Sequence, residues 1–370
     1  MKSIMILSYF EVAPKSGVSV RIFEIAKNLA LLGNKVFLIA PRNDNDQVRI
    51  NNLHIKKFKL PRYLKTVFIM YYLLKLGQQI IRENQIDIII SAHLWSLLPA
   101  LILKKSYSKK LVLDEHNVEF LRAVRMKSLK RMILSFILEK GLANFSDSIL
   151  TVSLLDKNAL SKLGIPPKKM YIIPNGADTQ KLHPKIDPSA IRQRLNVKSD
   201  PLIIFMGKLD YKPNRQALQL IFKRILPNVL QQVPNSKFLI VGMNPPSHLS
   251  HKAVFYTGFV KDIAEYIAAA DVAIAPIISG SGTRLKILEY MALGKPVIST
   301  RLGAEGIIVK NGKNIILTKD MDEFARQVVN LIRDIDLREK IGKNARELVV
   351  QRYDWSFIVK ALDNDVIRIL

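Results

Sequence analysis

Short aliphatic runs alternate with longer helical stretches along most of the 370-residue chain, and this alternation limits the possible folds more than any other feature. Strands joined by helical crossovers form parallel sheets, with helices packed on the faces of the sheet. In the first half of the chain the predicted strands are residues 3–9, 35–40, 87–91, 111–114 and 148–152. The long helices predicted between them span residues 18–32, 60–83 and 118–143.

The alternation breaks at residues 174–201, where a Pro-Asn-Gly turn is followed by a polar stretch containing three further prolines. It then restarts, with strands predicted at residues 202–206, 237–241, 253–256, 271–276 and 296–300 and helices at 215–232, 261–269 and 283–293. The pattern predicts an α/β protein of two Rossmann-like domains, residues 1–180 and 181–352. An amphipathic helix at 353–370 is expected to pack back toward the first domain.

Composition excludes several classes of protein. The chain has no cysteine, which rules out disulfide frameworks, Cys-ligated zinc and thiol catalysis and suits a reducing compartment. No signal-peptide pattern is present at the N-terminus, and the best apolar run, residues 67–74, is too short to span a bilayer. The net charge of +26 calls for an anionic partner. We therefore expect a soluble or peripheral protein.

A glycine-rich turn at residues 279–289, SGSGTRLKILE, carries the strongest chemical signal. It follows a predicted strand and opens a helix, so the free N–H groups at Thr283, Arg284 and Leu285 are suited to bind a phosphate. Glu289 lies further along that helix, where its carboxylate can accept hydrogen bonds from a ribose diol. The alternative is an ordinary glycine-rich turn with Glu289 on a solvated face.

The surrounding sequence resembles the retaining, GT-B-fold glycosyltransferases of family 4. The motifs that carry the resemblance occur in the family's order: PNGAD at 174–178, FMGKL at 205–209, VG at 241–242, GFV at 258–260 and EYMALGKPV at 289–297. The resemblance covers nearly the whole chain. It implies two Rossmann-like domains facing across a cleft and transfer of a sugar, with retention, from a nucleotide-diphosphate sugar. It also implies no cofactor beyond that co-substrate and no obligatory metal.

The same resemblance assigns donor-site residues in the second domain. The nucleotide and phosphate residues are Lys208, Lys212, Thr283, Arg284, Leu285 and Glu289. Lys208 stands where the family has an arginine, and Asn214 stands where the family has a partner lysine, so Lys212 or Arg215 is a candidate substitute. Ser281 occupies the position of an acid that contacts the donor sugar in the family.

In the first domain the resemblance points to Gly17 and His116. Gly17 is the single glycine of a turn in which the family usually has two, and it is assigned to the donor phosphate. His116 follows the strand at 111–114 and is assigned as the catalytic histidine that approaches the donor sugar. Glu115 and Glu119 are weaker candidates, and His93 is weaker still. The alternative for His116 is a capping or buried structural histidine.

The positive charge concentrates in two N-terminal segments without acids. They contain Arg49, Lys56, Lys57, Lys59, Arg62, Lys65, Lys75 and Arg82, and then Arg122, Arg125, Lys127, Lys130 and Arg131. Aromatic and aliphatic residues, Met126 among them, lie between these charges, a pattern typical of helices that bind an anionic membrane surface. We expect a cytoplasmic protein, peripheral on the inner face of the cell membrane, with a lipid-linked or cell-surface glycan as acceptor. The alternative is a core-facing apolar stripe with a solvated back.

Three other functions stay open at this stage. A sugar-nucleotide epimerase of the same fold would release free sugar without an acceptor. A non-catalytic sugar-nucleotide-binding relic would explain Ser281. A nucleic-acid-binding protein would explain the charge and would bind with steep salt dependence, but the sequence matches no nucleic-acid recognition module, so no nucleic-acid partner is expected.

Overall fold

The computed structural model describes residues 1–12, 17–41, 49–61, 63, 65–125 and 127–370. The chain forms two compact units: unit 1 comprises Met1–Asn175 with Trp355–Leu370, and unit 2 comprises Gly176–Asp354. The divisions therefore lie at 175/176 and 354/355, where the sequence places them at 180/181 and 352/353.

Unit 1 is built on a parallel sheet of strands in the order β3-β2-β1-β4-β5-β6-β7. The strands are β1 (Ser3–Ser8), β2 (Lys35–Pro41), β3 (Leu53–Phe58), β4 (Ile88–Ala92), β5 (Lys110–Glu115), β6 (Ser148–Thr151) and β7 (Met170–Ile172). The central strands are buried on both faces, as their continuous aliphatic runs predict. Because Ala92 pairs with Asp114, the residues that follow β4 and β5 emerge at the same edge.

Helices cover this sheet, but two of them differ from prediction. The helices of this part are α1 (Gly17–Leu31), α2 (Lys65–Glu83), α3 (Leu97–Tyr107), α4 (Glu119–Arg125), α5 (Leu129–Phe136) and α6 (Leu154–Lys162). The predicted helix 60–83 begins only at Lys65, after Pro61. The predicted helix 118–143 is broken into α4 and α5, and α5 continues into a π-helical segment at Ile137–Leu142.

The break between α4 and α5 has a defined backbone cause. Lys127 adopts a left-handed conformation with φ of 54°. Its N–H donates to the carbonyl of Val124, and the N–H of Ser128 donates to the carbonyl of Ala123. These two bonds form the reversed pattern that closes a helix and turns the chain away, so α5 starts in a new direction.

Unit 2 is built on a second parallel sheet, in the order β10-β9-β8-β11-β12-β13. Its strands are β8 (Leu202–Met206), β9 (Lys237–Val241), β10 (Val254–Tyr256), β11 (Val272–Ala275), β12 (Val297–Thr300) and β13 (Ile316–Thr318). Counted within the unit, this is the Rossmann order 3-2-1-4-5-6. The strand order reverses between β8 and β11, and the carboxyl ends of such a pair form the crevice in which ligands of open α/β sheets bind.

Helices flank this second sheet as well. They are α7 (Ser189–Arg194), α8 (Lys212–Leu220), α9 (Leu226–Gln232), α10 (Ile263–Ala269), α11 (Leu285–Ala292), α12 (Met321–Arg333) and α13 (Ile335–Arg352). The predicted helix 215–232 corresponds to α8 and α9 joined by a π-helical segment at Ile221–Ile225. The sequence did not predict β3, β7 and β13 or helices α3, α6, α7, α12 and α13.

The final helix, α14 (Trp355–Leu362), belongs to unit 1, as predicted. It packs against α1 and buries Trp355, Val359 and Leu362 almost completely. Beyond it, Asp363 is buried and its Oδ1 accepts a 2.8 Å hydrogen bond from Asn34 Nδ2. Within the described ranges, no helix combines the length and the apolar character needed to cross a bilayer.

Candidate functional site

A buried ion pair organises the carboxyl edge of the unit 1 sheet. Arg21 of α1 reaches Asp114 of β5 with its Nε 3.1 Å from both carboxylate oxygens and its Nη2 2.6 Å from Oδ1. Its Nη1 donates to the Pro174 carbonyl and to Asn175 Oδ1, each at 3.1 Å. Burial alone would raise the pKa of Asp114, but Arg21 and His116 hold that pKa well below its usual range. Asp114 is therefore a carboxylate at neutral pH.

His116 is the second partner of Asp114. Its Nε2 lies 2.9 Å from Asp114 Oδ2, and the side chain is buried. Burial lowers the pKa of His116 despite the neighbouring carboxylate, so the imidazole is neutral at pH 7. Since a carboxylate only accepts hydrogen bonds, Nε2 carries the proton and Nδ1 is left as an acceptor. Nδ1 has no hydrogen-bond partner within the described residues.

His93, at the end of β4, completes this histidine cluster. It adopts a φ of 103°, rare for a residue with a side chain. Its ring meets that of His116 edge to face with centroids 5.3 Å apart, and its Nε2 lies 3.6 Å from Glu119 Oε1. Burial would raise the pKa of Glu119, but His93 and Arg122 lower it to about 2. The structure thus brings together His93, His116 and Glu119, which the sequence ranked separately.

Glu115 belongs to a different environment. Both of its carboxyl oxygens are buried and have no hydrogen-bond partner among the described residues. Burial, with the neighbouring carboxyl groups of Glu139 and Glu119, raises the pKa of Glu115 well above its usual value. Burial likewise raises the pKa of Glu139 to about 8, although both its oxygens accept the Phe120 N–H. Glu115 and Glu139 are neutral carboxylic acids at pH 7.

Gly17 is the first residue of α1 and is exposed. The rest of its turn, Pro14, Lys15 and Ser16, lies outside the described residues. The start of α1 is tied to the segment after β1, because Ser19 Oγ donates a 2.7 Å hydrogen bond to the Glu11 carbonyl.

In unit 2 the glycine-rich turn after β11 takes a different form from the prediction. Helix α11 begins at Leu285, not at Thr283, and Arg284 is its extended N-cap residue. Gly280 and Gly282 have φ of 93° and 79°, which turns the chain sharply before the helix can start. The Arg284 guanidinium donates back to the carbonyl oxygens of Gly282 and Ser279. Its side chain therefore closes its own turn, which the sequence did not anticipate.

Two further residues of this turn, Thr283 and Ser281, precede the helix. Thr283 is buried directly before the helix. The Oγ atom of Ser281 is also buried, and it lacks a hydrogen-bond partner in the described part of the chain. An unpaired buried hydroxyl is costly, so Ser281 offers a donor and acceptor at the position that the resemblance assigns to the donor sugar.

Sequence reasoning missed Lys286, in the first turn of α11. Its Nζ donates to Asn214 Oδ1 at 2.9 Å and lies 4.3 Å from the centre of the Phe205 ring. Asn214 Nδ2 in turn donates to the Lys208 carbonyl at 2.8 Å. Burial lowers the pKa of Lys286 to about 7, with Arg284 acting in the same direction and Glu289 against it. A cation in the first turn of a helix opposes the helix dipole. A lysine at this position was therefore the sequence signal that could have singled out Lys286.

Gly207, at the carboxyl end of β8, explains how these groups fit. It has a φ of 152°, and a Cβ atom there would lie 2.6 Å from Asn214 Nδ2 and 2.9 Å from Lys286 Nζ. Only glycine therefore leaves room for the lysine and the amide against this strand end. The next residue, Lys208, is half exposed, with its Nζ 3.8 Å from Asp210 Oδ2. Lys212 opens α8 and is exposed.

Glu289 lies one turn beyond Leu285 on α11 and is partly exposed. Burial raises its pKa to about 7, against the opposing charges of Lys286 and Lys181. Its neighbour Tyr290 is fully buried and accepts the Met206 N–H at 2.8 Å, which fixes α11 to the end of β8. The loops after β8 and β11 therefore gather cations, a carboxyl group and a glycine-lined turn at the point where the strand order reverses.

Two family models match the chain. The model described as "Glycosyltransferase Family 4" matches residues 15–181, and the model described as "Glycosyl transferases group 1" matches residues 200–334. The first match covers most of unit 1. The second includes β8, β11 and the loops that follow them, which form the candidate site in unit 2.

Curated relatives agree with these models. A putative glycosyltransferase of Bacillus subtilis, EpsD, is 26% identical over 264 residues, which is 67% of this chain and 67% of the relative. An Escherichia coli UDP-Gal:alpha-D-GlcNAc-diphosphoundecaprenol alpha-1,3-galactosyltransferase is 28% identical over 218 residues, covering 55% of this chain and 54% of the relative. With the latter, the aligned stretch thus spans about half the length of each protein.

Solved structures show the same fold over the whole chain. Anabaena Alr3699/HepE, solved with UDP-glucose, superposes with a TM-score of 0.78 at 18% identity, covering 100% of both chains. A sucrose-phosphate synthase from Thermosynechococcus elongatus gives a TM-score of 0.81 at 18% identity, covering 100% of this chain and 99% of the other. The solved structures show that the chain has the GT-B fold, and the two family models show that it belongs to the group 1 and family 4 glycosyltransferases.

Proposed function

We propose that this glycosyltransferase transfers a sugar from a uridine diphosphate sugar to a lipid-linked or cell-surface glycan, with retention of configuration. The observation that carries the donor half is the grouping of Lys208, Lys286 and Glu289 around the ends of β8 and β11. Two names support the uridine nucleotide: the Escherichia coli relative is named for UDP-Gal, and the Anabaena structure contains UDP-glucose.

Each donor-site group has a distinct task in this proposal. Glu289 accepts hydrogen bonds from the ribose hydroxyls, and the α11 start at Leu285 faces the diphosphate with its free N–H groups. Lys208 is half exposed and its ion pair with Asp210 is long, at 3.8 Å, so its side chain can turn toward the phosphates. When the bond between the anomeric carbon and the diphosphate breaks, negative charge grows on the leaving group, and nearby cations stabilise that charge. This stabilisation requires no metal ion, so we expect transfer to persist in excess chelator.

The sugar end of the donor is assigned to Ser281 of unit 2. Ser281 Oγ is buried and has an unmet hydrogen bond, which suits a sugar hydroxyl. His116 carries a neutral imidazole oriented by Asp114, a form that binds a hydroxyl through Nδ1. Its role as the catalytic histidine, and that of Gly17 at the phosphate, rest on the resemblance of the sequence.

Binding of UDP to the Glu289→Ala variant tests the donor site. Loss of a hydrogen bond between a charged group and the ribose costs about 1.5–3 kcal/mol, so isothermal titration should show about 10-fold to 100-fold weaker binding. Glu347→Ala, which removes an exposed carboxylate on α13, should bind as the wild type does. Equal affinity in both variants would refute the placement of the nucleotide.

Product analysis tests the reaction itself. Incubation with UDP-glucose and UDP-galactose and a polyprenyl-diphosphate-linked sugar should give a product whose new anomeric centre, read by NMR, keeps the donor's configuration. Release of free sugar at the same rate without acceptor would favour the epimerase reading. Nucleotide binding without turnover of any donor would favour a non-catalytic protein, the reading that Ser281 suggests.

The acceptor half of the proposal includes a membrane. We define the α5 surface as Leu129, Ile133, Phe136 and Ile137, which lie on one face of α5 and its continuation and are between 37% and 65% exposed. Lys127, Lys130 and Arg131 lie beside them and are exposed. Apolar side chains ringed by cations suit the interface of an anionic bilayer. We propose that this surface rests on the inner face of the membrane that carries the acceptor.

A further inference from the structure

The donor site has an unusual distribution of cations. The resemblance places a lysine six residues after the phosphate-binding position, but here that residue is Asn214, which is neutral and buried. The nearby candidates on the same segment, Lys212 and Arg215, are exposed. A site for a diphosphate would therefore be left with Lys208 alone on the β8 side.

In the structure, a cation from another element occupies this position. Lys286 extends from the first turn of α11 to the end of β8, where its Nζ is 2.9 Å from Asn214 Oδ1. The ammonium also lies over the Phe205 ring at 4.3 Å, a cation–π distance. Because a Cβ atom at Gly207 would be only 2.9 Å from that Nζ, the glycine is what allows the charge to sit against the strand end.

We propose that Lys286 is the second diphosphate-binding cation of this enzyme, held in place by Asn214 in the position where related sequences carry a lysine. The inference rests on the proposed function, since it names a binding residue of the same donor site. It assigns Asn214 a positioning role: its amide carbonyl holds the ammonium, while its Nδ2 is anchored on the Lys208 carbonyl.

The arrangement has a consequence for protons. Lys286 contacts a neutral amide and an aromatic ring, and no carboxylate among the described residues forms an ion pair with it. The charged groups that act on it are Arg284 and Glu289, and burial holds its pKa at about 7. A bound diphosphate supplies the missing negative charge, so Lys286 takes up a proton when the nucleotide binds.

Titration of UDP and of uridine into Lys286→Gln tests the proposal. Loss of a charged hydrogen bond to phosphate should weaken UDP binding about 10-fold to 100-fold, while uridine affinity changes less than about 2-fold. Lys295→Gln is a matched control, because Lys295, like Lys286, is a partly buried lysine of unit 2. Burial lowers its pKa to about 8, and its Nζ donates to the Ala268 carbonyl. That variant should bind UDP as the wild type does.

Two further variants separate binding from folding. Lys286→Gln combined with Asn214→Lys returns a cation to the same point from α8 and should recover most of the lost UDP affinity. Lys286→Arg keeps its charge at every pH, so residue 286 has no proton to gain when UDP binds. At pH 7.5 the wild type should therefore take up more protons on binding UDP than this variant, by most of one proton, measured by titration in buffers of different ionisation enthalpy. Repeating the comparison in a Glu289→Gln background removes the contribution of Glu289, whose pKa depends on the charge at residue 286.

The outcomes are distinguishable. A wild-type protein that binds no nucleoside diphosphate would refute the proposed function together with this inference. A wild type that binds UDP, with folded Lys286→Gln binding equally well, would refute the inference alone. Equal proton uptake by the wild type and Lys286→Arg would also overturn it, even if Lys286→Gln failed to fold.

Discussion

Buried charge is handled in two opposite ways within unit 1. Arg21 is 1% exposed and meets carboxylate, carbonyl and amide acceptors, so its charge is retained. Within the described part of the chain, neither Glu115 nor Glu139 has a cationic hydrogen-bond or ion-pair partner, and burial raises the pKa of each. Because the neutral acid tolerates burial far better than the carboxylate, these two groups keep their protons.

Glu139 therefore makes stability depend on pH. Its pKa rises from 4.5 to about 8 on folding, so its favourable contribution is complete below pH 4.5 and is lost as pH increases toward 8. Glu139→Gln keeps an oxygen for the Phe120 N–H and has no proton to lose. We expect the variant to match the wild type at pH 5 and to be more stable by about 4 kcal/mol at pH 8.5.

Chemical denaturation of the whole protein at the two pH values measures this difference in the free energy of unfolding. Glu83→Gln, which changes an exposed carboxylate of α2, should leave the pH dependence as it is in the wild type. Parallel pH profiles for Glu139→Gln and the wild type would show that Glu139 is charged in the folded protein.

Single residues were the hardest level to predict from the sequence. His116 and Glu289 could be selected because a motif surrounds each of them. Lys286 could not, since its role depends on Asn214, 72 positions away in sequence, and on the space left by Gly207. Arg21 and Asp114 are 93 positions apart, and no local pattern links them.

At the scale of elements, α5 stands out because its apolar face is exposed. Core-facing helices bury such a stripe, and α2 does so with Ile69, Leu73 and Ile80. Only Ser135 of α5 is buried. The left-handed turn at Lys127 redirects the chain between α4 and α5. The apolar face of α5 is exposed because the helix begins after this turn and does not continue α4.

Replacement of two residues of the α5 surface should weaken membrane binding without weakening the fold. Leu129→Gln and Ile133→Gln together remove side chains that are 65% and 53% exposed, so the free energy of unfolding should change by less than about 0.5 kcal/mol for each. Flotation with vesicles rich in phosphatidylglycerol should recover several-fold less of the variant than of the wild type.

The control for this experiment is Phe357→Gln, which removes a 59% exposed apolar residue of α14. It should float as the wild type does. Equal recovery of wild type on neutral and anionic vesicles would contradict the membrane proposal, because each basic residue near an anionic surface should contribute about 1 kcal/mol.

Elements could be predicted where periodicity was strong and were missed where it was weak. Strands β1, β5 and β8 are continuous aliphatic runs, and the structure places each where the sequence predicts. β3 is an edge strand with alternating exposed residues, and β7 and β13 have three residues each. Such short segments gain their pairing from the rest of the sheet, so the local sequence carries too little signal.

At the scale of the whole molecule, unit 1 is assembled from two distant parts of the chain. The C-terminal helix packs against α1 and completes the core of unit 1, which residues 1–175 alone leave uncovered there. The sequence predicted this return because the helix is amphipathic and follows a finished α/β domain. Which surface it would cover was set by the fold and not by its own pattern.

Truncation of a buried side chain in this helix should therefore destabilise unit 1 selectively. Leu362 is fully buried, so Leu362→Ala should cost about 2–5 kcal/mol. Hydrogen exchange should accelerate in β1, β2 and α1 and stay unchanged in β8 and β11. Phe357→Ala, on the exposed face of the same helix, should alter neither. Uniform acceleration in both units would show that they unfold together.

This return of the chain also orders events during synthesis. Residues 176–354 are continuous, so the ribosome can release unit 2 as a segment that is ready to fold. Residues 1–175 emerge earlier but must wait, through the translation of all of unit 2, for residues 355–370 to cover α1. During that interval the surface that Trp355, Val359 and Leu362 cover in the folded protein stays exposed. We therefore expect chaperones that bind exposed hydrophobic segments to bind the nascent chain.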